Sequence, residues 1–296
     1  MPKTTVPGPA AEAPVYRVVD VTPALAEKWL NQNTSNRNLR VNAVDAYARD
    51  MAAGNWAENG ESIKFAKGRV LLLDGQPPLY GGALLDGQHR LWAISEANVT
   101  IKMLVVTGLK TGAQETMDDG RKRTLADALT LRNEHNAVAL ASVLRRILMW
   151  QRGQRRNTGA YTPTNAECLA FLEQHPETRE SADISKSLRA STKLPSSVLG
   201  LTHWVFSGID AGDAEWFFKH LGTGAIADEF HPIITLRKKA DDIAEESRRR
   251  GGGRVPEDVL LAYVIKAWNA YRDGSQLKIL RFKPGGANPE KFPDPK

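Results

Sequence analysis

The chain of 296 residues contains one cysteine, Cys168. No disulfide can form within it, and no cysteine-rich zinc site can be built from it. A lone thiol fits a reducing compartment. Long apolar runs are missing as well. The uncharged stretches 70–73, 103–106 and 147–150 are strand- or helix-sized, far below the roughly 18 residues of a membrane-spanning helix. The opening MPKTTVPGPAAEAPV has one lysine and no apolar core, so it does not read as a secretory signal. These absences lead to the expectation of a cytoplasmic protein, in a bacterial or host cell, with no membrane partner.

What is present is ordinary for a globular chain: 42% hydrophobic and 25% charged residues. At roughly 150 residues per domain, the length suggests about two domains. The net charge is +6, which raises the odds of a polyanionic partner only modestly. Its distribution says more. Arg121, Lys122 and Arg123 form one cluster; Arg145, Arg146, Arg152, Arg155 and Arg156 form a second; residues 237–239 and 248–254 hold a third.

Residues 1–14 read as a disordered, Pro- and Ala-rich arm. A strand over 16–21 is followed by Thr22-Pro23, an N-cap and first-position pair that opens a helix. Val44, Tyr47, Ala48 and Met51 recur at helical spacing in a second helix. Strands are expected over 63–65, 69–73, 83–85 and 101–106, with a Pro/Gly loop over 76–82. A helix is expected over 89–97. From Thr124 onward strand signals mostly vanish. Helices are expected over 125–150, broken near 132–136, and over 164–173, 178–188, 196–207, 211–221, 231–249 and 256–272. A terminal strand over 278–282 precedes a Pro-rich tail. The tryptophans 150, 204, 216 and 268 fall at apolar helical spacing and read as core. The map is α+β: a mixed unit over 15–130, a helical unit over 131–275 and an extended tail over 276–296.

Two stretches can do chemistry. In Leu84-Leu85-Asp86-Gly87-Gln88-His89-Arg90, a strand passes through a glycine turn into a helix. A helix start of this kind presents backbone N–H groups to an anion. Gly87 permits close backbone approach, Arg90 can fork onto a phosphate, and Asp86 and His89 can handle a metal or a proton. The same residues also make a purely structural turn with Asp86 as N-cap. The second stretch is Met117-Asp118-Asp119-Gly120-Arg121-Lys122-Arg123-Thr124. Its carboxylates suit Mg²⁺, with Asp118 and Asp119 as ligands, and its bases suit phosphate oxygens. It equally reads as a solvated turn capping the next helix. Glu61, in Asn-Gly-Glu-Ser before a strand, is a candidate acid/base or a plain turn residue.

The strand-DGQHR-helix box resembles the DGQHR and DGHHR boxes of the ParB/sulfiredoxin-like superfamily. MDDGRKRTLADAL sits where ParB proteins carry their second nucleotide motif. VTPALAEKWL, NAVDAYARDMAAGNW and NGESIKF are similar to the N-terminal part of phage and actinobacterial ParB-like proteins, so the resemblance covers about residues 16–130. LLAYVIKAWNAYRDG and LRFKPGGANPEKFP resemble the C-terminal part of the same group. The resemblance implies a ParB/sulfiredoxin-like domain followed by a helical one, binding ATP or CTP with Mg²⁺. Gly87, Gln88, Arg90, Arg121 and Arg123 would hold the phosphates, and Asp86, His89, Glu61 and Asp119 would be catalytic. Sulfiredoxins carry a cysteine in the box, where this chain has Gln88. ParB clamps hydrolyse CTP and carry a helix-turn-helix, which is not legible after residue 130. Free-serine kinases of the superfamily carry a close box. Members named as nucleases rank lower, since no cluster supplies two metal sites.

The run MWQRGQRRNTGAY sets Arg152, Arg155 and Arg156 beside Trp150 and Tyr161. Arginines neutralise phosphates and aromatics stack on unpaired bases, so DNA is the expected macromolecular partner. A solvated interhelical loop is the plainer reading. The expected function is therefore a Mg²⁺-dependent nucleotide-binding protein acting on or with DNA, hydrolysing the nucleotide or transferring its phosphate. A non-enzymatic DNA-binding or regulatory protein and a small-molecule kinase without a DNA role are the competing readings. Nothing in the sequence sets the oligomeric state, and a homodimer is allowed.

Overall fold

The computed structural model describes residues 13–34, 36, 38–117, 124–156, 161–249, 253 and 255–296. The arm over 1–12 lies outside the described residues. The chain divides into two compact units, Met1–Lys122 and Arg123–Lys296. The boundary expected at 130 falls earlier because Leu125 and Leu129 are buried in the core of the second unit.

The first unit runs β1 (Val15–Val21), α1 (Pro23–Leu30), α2 (Val41–Ala52), β2 (Ser62–Ala66), β3 (Val70–Leu73), β4 (Leu79–Gly81), β5 (Leu84–Asp86), α3 (Gln88–Ala97) and β6 (Ile101–Leu109). A four-stranded mixed sheet has the order β1-β6-β2-β5. Only the β2–β6 pair is parallel; β1–β6 and β2–β5 are antiparallel. Alternation decides which side chains face inward. Ile63 and Phe65 of β2 are fully buried, and Lys64 between them takes the other face. Trp29 of α1 is fully buried; it packs edge-on against Phe65 at 5.4 Å and donates its Nε1–H to the Leu72 carbonyl at 2.9 Å. Thr22 caps α1 through the Leu25 N–H, as the Thr-Pro pair predicts.

Residues 76–82 are more than a loop. Leu79–Gly81 forms β4, paired with β3 in a separate two-stranded sheet. The prolines that suggest a loop precede the strand, where a missing N–H costs no ladder bond.

The second unit is helical among its described residues: α4 (Leu125–Leu131), α5 (Ala137–Gln151), α6 (Asn165–Gln174), α7 (Thr178–Thr192), α8 (Ser196–Ile209), α9 (Ala211–Thr223), α10 (Pro232–Arg248) and α11 (Glu257–Arg272). The break between α4 and α5 falls where expected, at Asn133 and Asn136, both with positive φ. Asparagine tolerates that region better than most side chains. Capping boxes at Thr124/Asp127 and Thr164/Glu167 start α4 and α6. The buried face of α7 is small and polar: Thr178, Ser181, Ala182 and Ser185. It packs against α8, where a Cβ added to Gly200 would lie 2.3 Å from Val143 Cγ2 and 3.2 Å from the Ser181 carbonyl.

Two expectations fail in this unit. Residues 278–282 form no strand. Leu280 and Phe282 alternate inward as in a strand, but they pack against helical core residues, and Lys266 donates to the Arg281 carbonyl at 2.7 Å. Trp216 is 38% exposed rather than core; it stacks on His220 and Tyr271 at the surface. Trp268 is fully buried, as expected. No helix among the described residues is long and apolar enough to cross a membrane.

Candidate functional site

The β5–α3 junction gathers most of the residues singled out in the box. Lys64 on β2 lies directly opposite Asp86 on β5 in the antiparallel register. Side chains so placed meet across the strands, and Lys64 Nζ donates to Asp86 Oδ2 at 2.8 Å. One helical turn on, Arg90 Nη2 reaches the same oxygen at 3.2 Å. Arg90 Nη2 also donates to the Ser62 carbonyl at 2.9 Å, and Nη1 pairs with Glu61 Oε2 at 3.2 Å. The result is a chain of four charges, Lys64–Asp86–Arg90–Glu61. Its inner members are mostly buried, while Glu61 is 59% exposed.

Burial would raise the Asp86 carboxyl, but it is outweighed. The Lys64 hydrogen bond, the Arg90 and Lys64 charges and the Gly87 N–H together hold Asp86 below its ordinary value. Asp86 is therefore an anion at neutral pH. That suits an electrostatic or ligating role better than the storage of a proton. Arg90 Nε is buried without a hydrogen-bond partner among the described residues.

Gly87 makes the turn. Its φ is +105°, and an added Cβ would stand 2.6 Å from Ile63 Cδ1. Among the described residues no side chain caps α3, and the first bond that closes the helix runs from the Leu91 N–H to the Gly87 carbonyl at 3.0 Å.

Gln32, Asn33 and Asn36, of the polar loop that the sequence predicts over 31–38, and Arg40 just after it fasten this turn. Asn33 donates to Gln88 Oε1 at 3.0 Å, and Asn36 to Asn33 Oδ1 at 2.7 Å and to the Leu84 carbonyl at 2.8 Å. The Leu84 N–H donates to the Gln32 carbonyl at 2.8 Å. The Arg40 N–H donates to His89 Nε2 at 3.0 Å, so Nε2 is an acceptor and the neutral ring carries its proton on Nδ1. His89 is thus engaged with this loop rather than with Asp86. The amide-rich NQNTSNRN run was the available signal for these contacts. Lys64, a lone charge between two buried apolar residues, was the signal for the ion pair.

Asp118, Asp119, Arg121 and Arg123 lie outside the described residues. Among the described residues, no group of three or more His, Cys, Asp or Glu side chains is placed to hold a metal ion.

The three arginines assigned to DNA are all in the second unit, and each has a partner there. Arg152 pairs with Glu167 at 2.7 Å. The Arg155 guanidinium lies 3.7 Å from the Trp150 ring centroid and donates to the Trp150 carbonyl at 3.0 Å. Arg156, 73% exposed, pairs with Asp258 at 3.6 Å. In the same cluster Arg146 is buried and donates to the Arg155 carbonyl, and Arg145 donates to Asn165. Much of this basic cluster therefore stabilises the helical unit internally.

Cys168 is buried in the second unit, and desolvation pushes its thiol up to about 12. At pH 8 the thiolate fraction is then about a thousandfold below that of a free cysteine. Ellman's reagent should label the folded chain only on the timescale of unfolding; rapid stoichiometric labelling at pH 8 would contradict this burial.

Comparisons with protein families, with curated proteins and with solved structures find no match to this chain.

Proposed function

We propose that this is a ParB-like nucleotide-binding protein, Mg²⁺-dependent and acting on or with DNA, that hydrolyses an NTP or transfers its phosphate. The observation that carries this reading is the β5–Gly87–α3 turn, which sets the start of α3 beside Lys64 and Arg90. Fixed N–H donors and two cations are what a polyphosphate requires. Phosphoryl chemistry asks little more of a protein than positioning and charge neutralisation.

The residues have separate tasks in this scheme. The Arg90 N–H and the Lys64 ammonium would take the phosphate oxygens. Arg90 would exchange part of its contact with Glu61 for the nucleotide, releasing an exposed carboxylate beside it to orient or deprotonate the acceptor. Asp86 keeps Lys64 and Arg90 in place. Mg²⁺ commonly binds one or two carboxylates together with substrate phosphates. Asp86 and Glu61 fit that limited role and no larger one, because both are already paired with cations. When bound, the ion would neutralise charge on the phosphates.

A second reading is favoured by one observation: both Arg90 terminal nitrogens are bonded within the protein. On that reading the box is a structural latch in a DNA-binding or regulatory protein.

Calorimetry of the four ribonucleoside triphosphates with Mg²⁺, with and without duplex DNA, separates the two. The nucleotide reading expects selective binding of one triphosphate. Arg90→Ala should weaken it by about tenfold to a hundredfold, the worth of a charge-assisted hydrogen bond, with the thermal transition checked for folding. Unchanged affinity in Arg90→Ala would refute the site. Absence of nucleotide binding, with DNA binding that falls steeply with salt, would establish the second reading.

A further inference from the structure

Helices α7, α8 and α9 of the second unit surround a cavity of about 960 Å³, the size of a small-molecule site. Its walls are largely apolar, with Ile184, Leu188, Trp204, Val205 and Phe218 among them. One polar ring stands in this wall. His203 is 6% exposed, and its Nδ1 lies 2.9 Å from Ser181 Oγ.

Counting donors assigns the tautomer. Ser181 is 2% exposed, and His203 is its side chain's partner among the described residues. Were the proton on Nδ1, the serine hydroxyl hydrogen would be buried with no acceptor, which costs more than a hydrogen bond is worth. The hydroxyl therefore donates to Nδ1, and the neutral ring carries its proton on Nε2. Desolvation lowers the imidazole to about 4, so the ring is neutral at pH 7. Nε2–H has no protein partner among the described residues, while the ring lines the cavity. This donor, on a nearly buried ring in an apolar wall, can be met by an acceptor that enters the cavity.

The rim has the opposite sign to the chain as a whole. Glu177, Glu180 and Glu215 line it against Lys219. Glu177 is engaged with His175 and the Trp204 indole. Glu180 and Glu215 are exposed and form no ion pair among the described residues.

We propose that this cavity binds an organic cation with a flat apolar body, its hydrogen-bond acceptor meeting His203 Nε2–H and its ammonium group facing Glu180 and Glu215. The site stands apart from the nucleotide reading and does not depend on it.

Three related probes test each part by calorimetry on the full chain. 4′-(Piperazin-1-yl)acetophenone has a ketone, an aromatic body and an ammonium group; it should bind with a Kd of about 0.5 mM, the efficiency expected of a ligand its size. 1-Phenylpiperazine lacks the ketone, and 4′-morpholinoacetophenone lacks the charge; each should bind about fivefold more weakly. His203→Asn keeps an acceptor for the Ser181 hydroxyl but loses the Nε2 donor, and should abolish the ketone preference alone. Glu180→Gln with Glu215→Gln changes only exposed side chains, so folding is not at risk, and should abolish the charge preference alone. Equal binding of the three probes by the native chain overturns the proposal. So does no binding of the first at about 5 mM, ten times the expected Kd, or preferences that survive the variants.

Discussion

Gly87→Ala should cost the first unit about 3 kcal/mol and abolish the nucleotide binding proposed for the turn. Two independent penalties add. At φ +105° a residue with a Cβ sits in sparsely allowed backbone space, which costs on the order of 1–3 kcal/mol. The new Cβ would also stand 2.6 Å from Ile63 Cδ1 and 3.3 Å from Ile63 Cα. Ile63 is fully buried in a central strand. Its side-chain end can turn aside, but its backbone cannot, and overpacking of this kind costs about 1–3 kcal/mol. Gly60→Ala is the control: it also has positive φ, +76°, but nothing lies within 4 Å of an added Cβ. It should cost only about 1 kcal/mol. Urea unfolding of both variants measures the difference, and Ile63→Val in the Gly87→Ala background should recover part of it by removing Cδ1. Equal losses for Gly87→Ala and Gly60→Ala would show that the turn relaxes freely.

The glycine was legible because a strand running directly into a helix needs an abrupt change of direction, and Asp-Gly signals one. The partners of the turn were not. Lys64 and Asp86 are brought together by the register of β2 against β5, and the β3–β4 hairpin lies between those strands in the chain. A local reading of the sequence cannot supply that register. It supplied a cation at position 90 but not what the cation would touch. Arg90 therefore read as a free phosphate clamp, whereas it bridges Asp86, Glu61 and the Ser62 carbonyl. Arg152 and Arg155 teach the same lesson. A basic cluster in sequence becomes a binding surface only where its members lack partners nearer home, and these two find Glu167 and Trp150.

In the helical unit the punctuation was more legible than the packing. The threonine caps and the asparagine-rich break mark helix ends by local chemistry, so they survive folding. The alternation at 278–282 misled because period-two burial follows from any extended segment lying on a core, whether a strand or a helix lies beside it. Ser181 and Ser185 of α7 are buried against neighbouring helices. Small polar residues allow close helix approach while satisfying their hydroxyls internally, as Ser185 does by donating to the Ala182 carbonyl at 2.7 Å. His203, set among apolar residues of α8, gave no sign of its cavity until α7 and α9 were placed around it.

His203 should make the second unit lose about 3 kcal/mol of stability as pH falls from near 6.5 to near 4. Desolvation lowers the folded-state imidazole from 6.5 to about 4. Between these values the unfolded chain binds a proton that the folded chain does not, so stability rises with pH across that window. The contribution is complete above the unfolded value and is lost as pH falls toward the folded one. At about 1.4 kcal/mol per pH unit, a shift of this size gives the expected loss. His231 is also lowered by burial, to a lesser extent, and adds in the same direction. Carboxylates held below their ordinary values, such as Glu134 beside Arg179, act mainly further down in pH. His203→Asn isolates the imidazole, because it keeps an acceptor for Ser181 and has no proton to gain. Urea unfolding at a series of pH values should show the native chain and the variant diverging below pH 6.5, with the native slope steeper. Parallel curves would mean that the ring is protonated in the folded state without cost, and that water or a counter-charge reaches it.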